Sequence, residues 1–157
     1  MRKFILIAAL GLLPAMAQGA VTVRFVEPQG YTDAGRRYSD SDLAALERHL
    51  VSLGDCLKSG DRVDLSILDV DLAGRKEWWR GPAYDVRVMR EITWPRIQLE
   101  YAWHDAAGKL VDQRRERVAD MNYLWRSAYV RNDPDVLPYE KAMLRDWFEG
   151  RFCPKTG

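Results

Sequence analysis

The chain is short of histidine, of cysteine and of charge of one sign, and each shortage closes off a class of function. It has two histidines, His49 and His104, and two cysteines, Cys56 and Cys153, in 157 residues. None stands in the short paired spacing from which zinc sites are built, so no metal is expected. With 24 basic against 23 acidic residues it lacks the electrostatic footprint of a nucleic-acid binder. No glycine-rich segment opens a helix pattern in the way that cradles phosphate, no Gly-x-Ser-x-Gly turn presents a nucleophilic serine, and no cofactor is implied. The longest apolar run, Phe4 to Leu13, is half the roughly twenty residues needed to cross a bilayer. Internal repeats and low-complexity segments are absent.

What is present begins with a leader. Arg2 and Lys3 precede the apolar run, and Pro14-Ala15-Met16-Ala17 closes it with small residues, the three-part layout of a secretory signal peptide. Residues 1–17 are expected to be removed, with cleavage between 17 and 20, leaving 18–157 as a single domain without a membrane anchor. Loss of Arg2 and Lys3 leaves 22 basic against 23 acidic residues, so the mature charge is near zero. Export places Cys56 and Cys153 among oxidants, and a disulfide between them is the expected state. Closing a loop of about a hundred residues limits the unfolded chain by an upper figure of about 4 to 5 kcal/mol.

Hydrophobic periodicity sets out the elements. Val21 to Val26 alternates as a strand. Ser39, with Asp42 three residues on, opens a helix in the manner of a capping box, and Leu43, Leu46, Leu50, Leu53 and Leu57 then repeat at helical spacing. Gly54 and Gly60 end it. From Arg62 to Leu72 the apolar phase flips, from Val63, Leu65 and Ile67 to Leu68, Val70 and Leu72, which calls for a bulge or a strand buried on both faces. Tyr84 to Met89 is a candidate strand, and Arg96 to Trp103 alternates most clearly. Asp105-Ala106-Ala107-Gly108 turns the chain into a charged return strand, Lys109 to Val118, suited to a sheet edge. Pro138 fits the first position of a last helix, running to about Arg151 with Cys153 just beyond. The expected fold is α+β: a mostly antiparallel sheet of four to five strands packed by two helices.

Several phrases carry a family resemblance: Val23-Arg24-Phe25 with Pro28 and Tyr31-Thr32-Asp33, Asp69-Val70-Asp71-Leu72-Ala73-Gly74, Arg87-Val88-Met89, Trp94-Pro95-Arg96-Ile97, Asp120-Met121-Asn122-Tyr123, and Tyr139-Glu140-Lys141 with Met143-Leu144 and Asp146-Trp147-Phe148. In wording and order they resemble the exported bacterial family known as domain of unknown function 3016. The resemblance implies export and a single domain; it brings no activity and no site residues.

Asp69 to Gly74 opens like a calcium loop, with acids at positions one and three and glycine at six, but Ala73 stands at five and Arg80 at twelve, where a bidentate glutamate belongs. The simpler reading puts the two acids at a strand end, bonded to turn amides or an arginine. Asp69, Asp71 and Glu77 also make a candidate carboxylate pair for sugar hydrolysis, although a small domain leaves little room for a substrate groove. Both histidines read as solvated. Glu140, on the last helix, reads as an ion-pair edge toward Arg96 or Arg126. Six tryptophans is a high count: Trp103 and Trp147 fall on core stripes, whereas Trp78 and Trp79, flanked by Arg75, Lys76 and Arg80, fall in a loop as an aromatic and basic contact site. The leading expectation is a non-catalytic periplasmic binding or accessory module. Its site would be Trp78, Trp79, Arg80, Asp69 and Asp71, and its partner an envelope protein or glycan. A small envelope hydrolase is the alternative.

Overall fold

The computed structural model describes residues 18–33, 40–77, 87–126, 128–131 and 134–154. The proposed leader, Ser39, and the Trp78–Arg80 contact loop lie outside them.

In chain order the elements are β1 (Ala20–Phe25), α1 (Asp40–Ser52), β2 (Arg62–Asp71), β3 (Arg75–Lys76), β4 (Arg87–Val88), β5 (Arg96–His104), β6 (Leu110–Ala119), α2 (Ala128–Arg131) and α3 (Pro138–Phe152). Four strands form one sheet in the order β1-β2-β5-β6, and β3 pairs with β4 in a separate two-stranded ribbon. The fold is α+β, as expected. One pairing departs from the antiparallel rule: β1 runs parallel to β2, because α1 lies between them and returns the chain to the end from which it started. The candidate strand at Tyr84 to Met89 is seen as Arg87–Val88, its earlier residues lying outside those described.

Alternation in every strand sends one set of side chains to a shared core. Val63, Leu65, Ile67, Ile97, Leu99 and Tyr101 meet Leu46 and Leu50 of α1 and Met143, Leu144, Phe148 and Phe152 of α3, all nearly inaccessible. The leucine stripe of α1 therefore does what its spacing predicts. The helix ends at Ser52, and Leu53–Cys56 continues as one tighter turn around Gly54, whose missing side chain admits Val21. At the far end of the core, Phe152 lies edge-on to Tyr101, Trp103 and Trp147 at 5.1, 5.7 and 5.5 Å. The adjoining Cys153 is bonded to Cys56, with Cα atoms 5.3 Å apart.

Among the described residues no helix covers the opposite sheet face. Thr22 bonds Asp64 and Arg24 bonds Ser66 across β1 and β2; Glu100 lies 3.7 Å from Arg115 across β5 and β6. It is a polar face open to solvent.

The hairpin behaves as its turn residues require. Gly108 takes φ +79°, and the Asp105 carboxylate accepts the Ala107 and Lys109 amides at 2.9 Å each. Two expectations are corrected. His49 is half-buried at the contact of the two long helices, its Nε2 lying 2.8 Å from the Lys141 carbonyl, because α3 covers that side of α1. Glu140 pairs with neither Arg96 nor Arg126: it sits in the first turn of α3 at 2 % exposure and accepts the Ala73 amide at 2.6 Å.

Candidate binding site

The phase flip in β2 is a bulge at Leu68: Ile67 pairs with Leu99, and the next pairing joins Asp69 to Gln98. The extra residue moves Val70 onto the core face and turns Asp69 and Asp71 to the open polar face, beside Ser66 and Asp64. Two carboxylates thus reach the same face at one end of the sheet, opposite Gln98 and Arg96. Arg117 on β6 stands next to Gln98. With Thr32 they line a shallow cleft of about 190 Å³, well beyond the roughly 10 to 15 Å³ that one water molecule requires.

The loop after β1 closes one wall by clipping onto the bulged strand. The Tyr31 hydroxyl donates to the Ile67 carbonyl at 2.7 Å and the Asp33 amide to the Val70 carbonyl at 3.0 Å; burial pushes the Tyr31 phenol up to about 12. Asp69 accepts both the amide and the hydroxyl of Thr32, at 2.7 and 2.8 Å. Asp71, 4 % exposed, accepts Nε of Arg96 at 3.0 Å and also its Nη2, with Arg75 at 3.9 Å on its other oxygen. Arg96 in turn lies over the Trp94 ring, 5.6 Å from its centroid. The third acid considered from sequence, Glu77, is buried and ion-paired with Arg90.

Behind the cleft, Arg87 ties the strand end together. One guanidinium nitrogen donates to Asp33 at 2.6 Å and to the carbonyls of Ala73 and Gly74 at 3.2 and 3.0 Å. Burial raises the carboxyl of Glu140, against the Ala73 amide and Arg87, which favour its charged form. Asp42 is likewise raised by burial, with Arg87 and Lys76 opposing.

The structure therefore brings Asp69 and Asp71 together with Arg96, Gln98, Arg117 and Thr32, four residues that sequence periodicity did not nominate. It also exposes aromatic and apolar surface elsewhere. Trp125, Ile92 and Met121 are 80, 77 and 67 % exposed, in two loops joined where the Tyr123 hydroxyl bonds both the amide and the carbonyl of Arg90. Among the described residues no group of three or more His, Cys, Asp or Glu is placed to hold a metal, and no helix is long and apolar enough to cross a membrane.

Fold and site together define a class: a disulfide-bonded α+β domain with one helix-covered and one open polar sheet face. The chain belongs to the family described as "Protein of unknown function (DUF3016)", whose model matches residues 19–150. No curated protein and no solved structure matches it.

Proposed function

We propose that the protein is a non-catalytic binding module of the bacterial periplasm, exported through residues 1–17 and engaging an envelope protein or glycan through the open polar sheet face. The observation that carries this reading is how the candidate carboxylates are used. A general acid or nucleophile needs an oxygen directed at substrate. Asp69 directs both of its oxygens at Thr32, Asp71 is held by Arg96 and flanked by Arg75, and Glu77 is paired with Arg90. Such bonds build a wall and leave the neighbouring side chains for recognition. Trp78, Trp79 and Arg80, which come after Glu77 in the sequence, are proposed as part of the same binding site. The Cys56–Cys153 disulfide supports an oxidising compartment.

A photo-crosslinking amino acid in place of Gln98, in the full chain in intact cells, tests this. A discrete envelope adduct is expected from that position, reduced by W78A/W79A and not obtained from Glu149 on the solvent side of α3. No adduct, or the same adducts from both positions, overturns the proposal.

A further inference from the structure

We infer that the cleft binds an oxyanion, a carboxylate or phosphate group of the ligand, on Arg117 and Gln98; this rests on the binding reading above and specifies its chemistry. On the acceptor side, both Asp69 oxygens and one Asp71 oxygen already accept hydrogen bonds. On the donor side, Arg96 commits Nε and Nη2 to Asp71, and its Nη1 has no hydrogen-bond partner among the described residues. Among the described residues the Arg117 guanidinium and the Gln98 amide have no hydrogen-bond or ion-pair partner, and the two residues are directly opposed across β5 and β6. The unspent capacity of the cleft is therefore mostly N–H, and a guanidinium fork beside an amide fits two oxygens of one anion.

Charge points the same way. The Asp71–Arg96 pair is neutral, and Arg117 lies two strands from Asp69, so strand spacing puts their backbones about 10 Å apart. That distance is about one Debye length at ordinary ionic strength, so the Coulomb interaction across it in water, about twofold in affinity without salt, falls to about 1.3-fold when screened. The β6 side of the cleft is cationic and the Asp69 side only weakly opposes an anion there.

The test is titration of the folded protein with succinate and, separately, inorganic phosphate at constant ionic strength, followed by the ¹H–¹⁵N signals of the Gln98 side-chain amide and of Arg117 Nε. Saturable shifts at both, with none at Arg145 Nε on the exposed side of α3, are expected; response to succinate alone assigns a carboxylate, response to phosphate alone a phosphate. R117Q should weaken binding tenfold or more, the loss expected for hydrogen bonds to a charged group, and D69N should strengthen it by less than about twofold. No saturable shift, equal shifts at Arg145, or undiminished binding in R117Q overturns the inference. If crosslinking from position 98 persists while neither anion shifts the cleft, the binding reading stands and the oxyanion is wrong; if both fail, both fall.

Discussion

Replacing Glu140 probes a nearly inaccessible charge at the joint between α3 and the end of β2. Its carboxylate accepts the Ala73 amide at 2.6 Å from a site only 2 % exposed. E140A and E140Q both remove the charge, so their difference isolates the hydrogen bond and the packing. Alanine leaves the buried amide unsatisfied, at about 1 to 3 kcal/mol, and removes one buried methylene, Cγ, at about 0.8 kcal/mol. Glutamine keeps an acceptor and the volume. E140A should therefore be less stable than E140Q by about 2 to 4 kcal/mol, or about 8 to 16 °C in Tm for a domain of this size, measured by calorimetry at neutral pH. Midpoints within about 3 °C of each other would refute the assignment of that bond as a structural tie. The pH dependence carries a sign. Because burial raises the folded-state carboxyl above its unfolded value, the folded protein binds that proton more tightly. The wild type then loses stability as pH rises through the raised value. E140Q has no such proton, so its stability relative to wild type should grow from acid toward neutral pH in denaturant titrations.

Three further outcomes follow from the same geometry. R96A should cost about 2 to 4 kcal/mol by stranding the buried Asp71 carboxylate with, among the described residues, only the more distant Arg75 beside it, and D71N in the same chain should restore much of it, read by urea denaturation. G74A should destabilise by about 1 to 3 kcal/mol in the same assay, because Gly74 has φ +75° and a Cβ there would meet Met89 Sδ at 2.7 Å and the Val88 carbonyl at 2.8 Å. His49 should titrate below the usual histidine range in an NMR pH series, since burial favours its neutral ring; its contribution to stability is full above the unfolded value and is lost as pH falls through the folded one.

Periodicity was enough for β1, β5 and the two long helices, since each buries one regular face, whereas the short exposed strand Arg75–Lys76 carries no apolar alternation and was not expected. The β2 phase flip announced an irregularity, but two readings of it remained open, and only the pairing of Ile67 and Asp69 with consecutive β5 residues selects the bulge and so the face on which Asp69 and Asp71 emerge. The cleft itself was not legible. Thr32, Asp71, Gln98 and Arg117 come from four separate segments, and cross-strand register, which no local pattern carries, makes them neighbours. Glu140 looked like a surface ion-pair partner because glutamate usually is one; its place in the first turn after Pro138, facing the end of β2, buries it. Tyr123-Leu124-Trp125 looks uniformly apolar, yet a three-residue turn points successive side chains about 120° apart. Tyr123 is fully buried and Trp125 largely exposed.

The bond between Cys56 and Cys153 spans 97 positions of sequence, and this gives the protein an unusual mechanical character. Under tension applied at its two ends, most of the chain forms a covalently closed bight that cannot lengthen while the sulfurs stay joined. Roughly 330 Å of contour is held back in this way, to be released only by reduction. The same closure sets an order of events: a chain that must pass through a narrow channel as a single strand can do so only before the bond forms, so oxidation has to follow passage.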